Sequence, residues 1–262
     1  MNRITVDSEG EPVDALLHQP RSPDRQVGVV VSPGRAATLE ELNWLAAPLA
    51  DAGYTVLVQG YRTGRTRYQL RDVQDVRCAV SWLQSETRGS IRRIAVIGHS
   101  RGASASLRAA ASDPRIDATV ALSAPVDVAR YMNALREHSP SRYRTLAEGY
   151  GATPSGDPHY YAIISPLSHA SFNASPVLLI HGTDDMVAPK EHSEWMHAAL
   201  VSHGRARVRL ELIAGAGHFF ESRFNGYLHA QVVELVVEWL HDTISQAPPI
   251  GNAGEQPLQP GA

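Results

Sequence analysis

The sequence predicts an α/β fold with a doubly wound, mainly parallel sheet of eight strands and a small cap insertion. Short apolar runs rich in β-branched residues alternate with longer segments in which apolar side chains recur at helical spacing. Continuous apolar runs, such as residues 27–31 and 176–180, are typical of strands that helices cover on both faces. A chain of 262 residues is long enough to bury a substantial core in one large domain.

Eight segments have the length and composition of strands and end in turn-forming or polar residues. They lie at residues 3–7, 13–18, 27–31, 54–58, 92–97, 117–122, 176–180 and 207–213. Since reactive groups in such sheets gather beyond the carboxyl ends of the strands, we expect the chemistry just after these segments.

Five helices are predicted between and after these strands. The first lies between Thr38 and Gly53, where Thr38 and Glu41 have the spacing of a capping box. Gly53 stands at the position where a helix commonly ends. The other four helices are expected at about residues 69–86, 101–112, 190–203 and 225–245.

Residues 126–172 interrupt this alternation. They are polar, rich in Tyr and His and punctuated by Pro, with helical patterns at about 127–137 and 141–149. Because they follow a strand end, we expect a small cap over the site inside a single domain of residues 1–245. Residues 246–262 are rich in Pro, Gly and Gln, and we expect them to form a disordered tail.

Composition excludes several classes of function. A net charge of −3 leaves no basic excess for nucleic acid or an anionic membrane surface. Cys78 is the single cysteine, so neither a disulfide framework nor a cysteine-rich metal site is expected. No pattern indicates a cofactor, a metal or an oligomeric state. Without an apolar signal region or a run of about 18 apolar residues, we expect a cytoplasmic protein.

The strongest motif is a Gly-x-Ser-x-Gly sequence that follows the apolar run at 92–97, namely Gly98-His99-Ser100-Arg101-Gly102. A serine at a sharp strand-to-helix turn has strained backbone dihedrals, and glycines on either side allow the chain to pass close to itself. The motif predicts that the Ser100 hydroxyl is exposed above the sheet edge as a nucleophile.

Acid and base candidates follow two later strands. Asp184 and Asp185 come after the strand at 176–180, and His218 lies in a Gly-rich loop after the strand at 207–213. A serine hydroxyl needs an imidazole to take its proton, and the imidazole needs a carboxylate to fix its tautomer. Asp184 and Asp185 compete for the acid position, with Asp127 as an outside alternative.

His218 is the predicted base because it alone of the twelve histidines follows the last strand in a glycine-rich loop. His181, at a strand end, is interpreted as structural, and His99 is expected to face away from Ser100. The remaining candidates fall on a predicted helix or in the cap: His192, His197, His203, His138, His159 and His169. His192 and His197 are five residues apart, which does not match the spacing of a helical zinc pair.

The three motifs in this order resemble the α/β-hydrolase superfamily over nearly all of residues 1–245. Tyr160-Tyr161, with the following Ser-Pro-Leu at 165–167 and His-Gly at 181–182, resembles the catalytic domain of prolyl-oligopeptidase-type serine hydrolases. These features also resemble dienelactone-hydrolase-like esterases. The resemblance implies Asp185 as the acid, because the family pattern His-Gly-x-x-Asp-x-x-Val-Pro places its carboxylate there.

Two backbone N–H groups are expected to stabilise the oxyanion, that of Arg101 at the elbow and that of Arg35 after the strand at 27–31. Prolyl oligopeptidases carry a tyrosine before a glycine pair at the second position, and lipases a His-Gly-Gly run. This chain has Ser-Pro-Gly-Arg at 32–35 instead, which weakens the peptidase interpretation. Tyr61 is an alternative hydroxyl from the neighbouring loop.

These observations together predict a serine hydrolase that cleaves a small carboxylic ester, thioester or lactone through an acyl-enzyme. The alternative is a peptidase or amidase that acts on a short peptide-like substrate with the same groups. The residues before position 26 are too few for the propeller of the oligopeptidases, which favours the ester. A non-catalytic binding protein is disfavoured because Ser100, Asp185 and His218 are all present.

Overall fold

An eight-stranded sheet forms the centre of the computed structural model, which describes residues 1–22, 24–35, 37–64, 66–87, 90–204, 207–223 and 226–244. The strand order is β1-β2-β4-β3-β5-β6-β7-β8. The strands are β1 (Asn2–Ser8), β2 (Glu11–His18), β3 (Val27–Ser32), β4 (Thr55–Gln59), β5 (Arg93–His99), β6 (Ala118–Leu122), β7 (Val177–Gly182) and β8 (Val208–Ile213). The pairs from β4 to β8 are parallel, whereas β2 is antiparallel to both of its neighbours.

Helices cover both faces of this sheet, as the sequence predicts. The α-helices are α1 (Asn43–Asp51), α2 (Tyr68–Glu86), α3 (Arg101–Ala110), α4 (Val128–His138), α5 (Pro140–Tyr150), α6 (Pro158–Ile164), α7 (Glu191–His203) and α8 (His229–Ile244). Two 3₁₀ helices, Glu40–Leu42 and Pro166–Phe172, complete the described helical structure.

Alternate residues of β3 contribute to the two cores on opposite faces of the sheet. In β3, Val29 and Val31 belong to the core that α1 and α8 complete, whereas Val30 packs in the core with α2 and α3. Successive strand side chains point to opposite faces, so a strand covered on both sides must be apolar throughout. All six residues of β3 are buried, which confirms the prediction made from its composition.

Most predicted boundaries agree with the structure, but the last helix does not. It was predicted from about residue 225 and begins at His229. A short hairpin of β9 (Glu221–Ser222) and β10 (Gly226–Tyr227) precedes it, and the Leu228 N–H donates to the Phe220 carbonyl. A two-residue strand pair is too short to show hydrophobic periodicity, which is why the sequence pattern did not reveal it.

The segment between β6 and β7, residues 123–176, is called here the β6–β7 insertion. It contains α4, α5, α6 and the second 3₁₀ helix, of which the sequence predicted the first two. The sequence before α6 has the residues that typically begin a helix, since Asp157 caps the Tyr160 N–H and Pro158 occupies the first turn. An aromatic core that includes Tyr131, Tyr150 and Tyr161 holds the insertion together.

The start of the insertion is fixed by a histidine from α7. His192 Nδ1 accepts the backbone N–H groups of Val126 and Asp127 at 3.2 and 3.4 Å. Burial and the neighbouring His181 lower the pKa of His192 to about 4. The His192 side chain is buried, so this histidine of the predicted helix is a packing residue.

The tail expected at residues 246–262 lies outside the described residues. Among the helices that the structure describes, none combines the length and apolarity needed to cross a bilayer.

We predict that Gly102→Ala destabilises the protein by about 3 kcal/mol or more, or prevents folding. A Cβ at position 102 would lie 2.2 Å from the carbonyl oxygen of Ser32, and neither backbone can move aside. Urea denaturation measures the effect. Gly156→Ala is the matched control, because its Cβ would meet the movable Thr153 side chain, and its cost should stay below about 1 kcal/mol.

We predict that His192→Gln makes the free energy of unfolding depend less steeply on pH in the acid range. His192 has a folded pKa of about 4 and an unfolded value near 6.5, so the unfolded chain binds its proton first. Native stability therefore falls as the pH drops from about 6.5 to 4, by roughly 3 kcal/mol from this group. Denaturation midpoints at several pH values should show a shallower slope for His192→Gln and an unchanged slope for the exposed His203→Gln.

Candidate active site

Ser100 stands at the turn between β5 and α3 with φ 52° and ψ −113°. A non-glycine residue in this region costs about 1–3 kcal/mol and persists only where the surroundings enforce it. Here a Cβ at Gly98 would lie 2.2 Å from the Gly102 carbonyl carbon, so only glycine permits the turn. The Ser100 N–H donates to Leu122 O at 2.8 Å and ties the turn to β6.

Asp185 follows β7 and is held by four hydrogen bonds. Its Oδ1 accepts the N–H groups of Val187 and Ala188 at 2.8 and 2.9 Å. Its Oδ2 lies 3.0 Å from His181 Nε2 and 2.7 Å from His218 Nδ1. Burial raises the pKa of Asp185, but these hydrogen bonds and the neighbouring His218 outweigh it and hold the pKa well below its usual value.

His218 lies in the loop after β8, and its ring nitrogen Nδ1 is 2.7 Å from Asp185 Oδ2. Nδ1 faces the Asp185 carboxylate and therefore carries the hydrogen, which leaves Nε2 as the acceptor. Ser100 and His218 line one cavity of about 190 Å³. No hydrogen bond joins Ser100 Oγ to His218 Nε2 in the described part of the chain, a looseness common in unliganded sites.

The competing carboxylates lie elsewhere. Asp184 is exposed, and its side chain accepts the Thr183 hydroxyl at 3.0 Å. Asp127 caps α4 through the Arg130 N–H and pairs with the Arg130 guanidinium. Of the three candidates, the structure brings Asp185 to His218.

His181 supports the carboxylate from behind. Its Nε2 lies near two oxygens that only accept, Asp185 Oδ2 at 3.0 Å and Ala188 O at 2.8 Å, so Nε2 carries the hydrogen. Its Nδ1 then accepts the Ser193 hydroxyl at 2.7 Å. The interpretation of His181 as structural left out this direct contact with Asp185.

His99 has a positioning role that the sequence did not reveal. Its Nε2 lies 2.8 Å from His218 O, and its ring packs against Phe219. A Cβ at Gly34 would lie 2.9 Å from His99 Nδ1, so the ring also sets how closely the β3 loop can approach. Burial and the neighbouring His218 lower the pKa of His99 to about 4, which keeps the ring neutral near pH 7.

The backbone N–H groups of Arg35 and Arg101 have no hydrogen-bond partner among the described residues. Free N–H groups on these two loops are what an oxyanion requires. Tyr61 has a different task, because its hydroxyl donates to Pro33 O at 2.8 Å and braces the β3 loop. Burial raises the pKa of Tyr61 well above its usual value, so the hydroxyl keeps its proton.

The Arg101 side chain anchors the start of α3. Its guanidinium binds Asp72 through two hydrogen bonds of 2.7 and 2.6 Å. It also lies 4.1 and 4.2 Å from the ring centroids of Tyr61 and Tyr68. These contacts hold Arg101 at the first position of α3, directly after Ser100.

Two further cavities lie near these residues. One, of about 350 Å³, is lined by His99 and by aromatic side chains that include Trp44, Phe219 and Tyr227. In it, Trp44 stacks on His229 with ring centroids 3.9 Å apart. The other is narrow, about 50 Å³, and lies between Ser100, α2, α3 and the β6–β7 insertion. In the described residues, no group of three or more His, Cys, Asp or Glu side chains is placed to hold a metal ion.

Comparison with known proteins finds a curated relative that is an esterase. Esterase LipC of Mycobacterium tuberculosis is 27% identical over 188 residues, which amount to 66% of this chain and 47% of the esterase. This chain therefore spans about half the length of that relative.

Solved structures share the fold at low sequence identity. A puromycin-hydrolyzing peptidase of Mycobacterium tuberculosis superposes with a TM-score of 0.78 at 22% identity, over 94% of this chain and 40% of the peptidase. Est1E from Butyrivibrio proteoclasticus superposes with a TM-score of 0.71 at 17% identity, over 94% of this chain and 100% of Est1E. The fold is therefore that of the α/β-hydrolases, as the sequence predicts.

A family model matches more than half of the chain. Its description is "Prolyl oligopeptidase family", and it covers residues 41–243. That range includes the serine turn, the β6–β7 insertion and the loops after β7 and β8. With the fold and motifs described above, this match places the chain in the prolyl oligopeptidase family.

Proposed function

We propose that this protein is a serine hydrolase that cleaves carboxylic esters, thioesters or lactones of small molecules through an acyl-enzyme. The proposal is carried by the pairing of Asp185 Oδ2 with His218 Nδ1 at 2.7 Å, beside the cavity that Ser100 lines. The similarity to an esterase over two thirds of the chain supports an ester as the substrate.

In the first half of the reaction, Ser100 Oγ attacks the carbonyl carbon and its proton passes to His218 Nε2. The ionised Asp185 stabilises the imidazolium that forms. The oxyanion accepts the backbone N–H groups of Arg101 and Arg35. His218 then returns the proton to the leaving oxygen or sulfur, and the acyl group remains on Ser100.

In the second half, water attacks the acyl-enzyme and gives its proton to His218. The tetrahedral intermediate collapses, the acid leaves, and Ser100 regains its proton from His218. The carboxylate of Asp185 stays ionised throughout, because His181 and two backbone N–H groups already donate to it.

Amide hydrolysis by the same groups is the second candidate. It is favoured by membership of the prolyl oligopeptidase family and by the structural likeness to a peptidase. A tyrosine hydroxyl that donates to the oxyanion is absent from the β3 loop, and the Tyr61 hydroxyl is engaged by Pro33. We therefore place the ester first.

We also propose that residues 1–245 act as one catalytic domain in which residues 126–172 form the cap. The insertion contributes Tyr131 and Arg142 to the narrow cavity that Ser100 lines. Such a placement lets the insertion select substrates without taking part in proton transfer.

We predict that Ser100→Ala lowers turnover of 4-nitrophenyl butyrate by a factor of about 10⁴ or more, because no other nucleophile is activated. Steady-state kinetics and labelling with a fluorophosphonate measure the loss. Thermal unfolding of the variant serves as the control for folding. If the variant kept native turnover, Ser100 would not be the nucleophile.

We predict that Asp185→Asn lowers kcat by about 10³-fold or more, because an amide can no longer hold the His218 tautomer or offset its charge. Asp184→Asn is the matched control, since Asp184 is exposed and does not contact His218. Its kcat should stay within about twofold of native. A larger loss for Asp184→Asn than for Asp185→Asn would move the acid by one residue.

A further inference from the structure

The narrow cavity beside Ser100 carries an excess of positive charge. The charged side chains that line it are one carboxylate and four guanidinium groups, Asp72, Arg35, Arg101, Arg108 and Arg142. Asp72 neutralises Arg101, to which it is bound through two hydrogen bonds. The charges of the other three arginines remain.

Arg108 differs from Arg35 and Arg142 because its charged side chain is buried. Its exposed fraction is 8%, its Nη1 donates to Gln69 O at 2.9 Å, and its Nε has no hydrogen-bond partner. No ion pair within 4 Å neutralises it in the described part of the chain. Burial lowers its pKa to about 10, with a partial offset from Asp72. A buried guanidinium without a carboxylate is costly, and an incoming anion would remove that cost.

Arg35, after β3, and Arg142, on α5, both line this cavity. Arg35 Nη1 donates to the Tyr68 hydroxyl at 2.5 Å, and no carboxylate pairs with it among the described residues. The Arg142 side chain makes no hydrogen bond or ion pair within the described part of the chain. Both also line the cavity shared by Ser100 and His218. The positive charge therefore extends to the reacting atoms.

The size of the cavity limits what can enter. A volume of about 50 Å³ exceeds the roughly 10–15 Å³ that a cavity needs to hold one water, so there is room for a small polar group such as a carboxylate. The aromatic cavity of about 350 Å³, which shares Arg35 with the narrow cavity, suits an apolar group. The two cavities differ in charge as well as in size, because the charged side chains that line the aromatic one are Arg35 and Glu41.

We propose that the ester substrate carries a carboxylate close to its reacting carbonyl, and that this carboxylate binds among Arg35, Arg108 and Arg142. Its apolar part then occupies the aromatic cavity. This inference rests on the proposed ester hydrolysis and names the substrate class for it. The carboxylate belongs either to the acyl half or to the leaving half of the ester.

Two pairs of esters, each with an anionic and a neutral member of similar size, test whether the carboxylate belongs to the acyl half or to the leaving half. The acyl pair is mono-4-nitrophenyl succinate and 4-nitrophenyl butyrate, and the leaving-group pair is 4-(butyryloxy)benzoate and its methyl ester. We expect native kcat/KM to be at least about tenfold higher for the anionic member of one pair, mainly through a lower KM. The preference should weaken as salt concentration rises.

Variants connect the preference to the cavity. Arg142→Gln should reduce the ratio of anionic to neutral kcat/KM by about tenfold, because a charge-assisted contact is lost. Arg144→Gln is the matched control on the same helix, since Arg144 is exposed and does not line the cavity, and its ratio should equal the native one. Because both positions are exposed, neither variant is expected to unfold the protein.

The outcomes distinguish this inference from the proposed function. If the neutral esters are hydrolysed in a Ser100-dependent way and neither anionic ester is preferred, the carboxylate proposal is wrong while ester hydrolysis stands. An equal effect of Arg142→Gln and Arg144→Gln on the ratio would also overturn it. If no ester of either pair is hydrolysed, the proposed function itself fails.

Discussion

The approach of α3 to the end of β3 is the constraint on which the site depends. A Cβ on Gly102 would lie 2.2 Å from Ser32 O, and one on Gly98 would overlap the backbone of Gly102. This contact forces Ser100 to its positive φ and leaves the Arg101 N–H without a helical partner. The proposed nucleophile and the proposed oxyanion donor therefore both depend on this one backbone contact.

Asp185, the proposed acid, is stabilised by groups other than His218, the proposed base. Both oxygens of Asp185 accept hydrogen bonds from groups other than His218, namely two backbone N–H groups and His181. A buried carboxylate is costly unless its lone pairs are satisfied, and here they are satisfied before His218 is protonated. His218 can therefore gain and lose a proton while Asp185 stays ionised, with His99 holding the backbone of His218 in place.

The sequence was informative where the chemistry depends on fixed spacing or long periodicity. Continuous apolar strands predicted the parallel sheet, and the offset from His181-Gly182 selected Asp185 over Asp184, which the structure places away from His218. The start of α8 and the hairpin before it depend on two-residue pairings too short for a periodic signal. The contact of His99 with the His218 loop depends on tertiary packing between residues 119 positions apart, which spacing alone cannot reveal.

Part of the positive charge beside Ser100 comes from the helix that follows it, α3. Arg101 and Arg108 are seven residues apart on α3, so two helical turns place them on one face. Asp72 binds Arg101, whereas no carboxylate among the described residues pairs with Arg108, so the helix that begins after Ser100 keeps one uncompensated charge. Arg142 adds to that charge from the insertion. Of the three arginines proposed to bind the anion, Arg108 shares α3 with the turn at Ser100, so one rigid helix relates this part of the anion site to the proposed nucleophile.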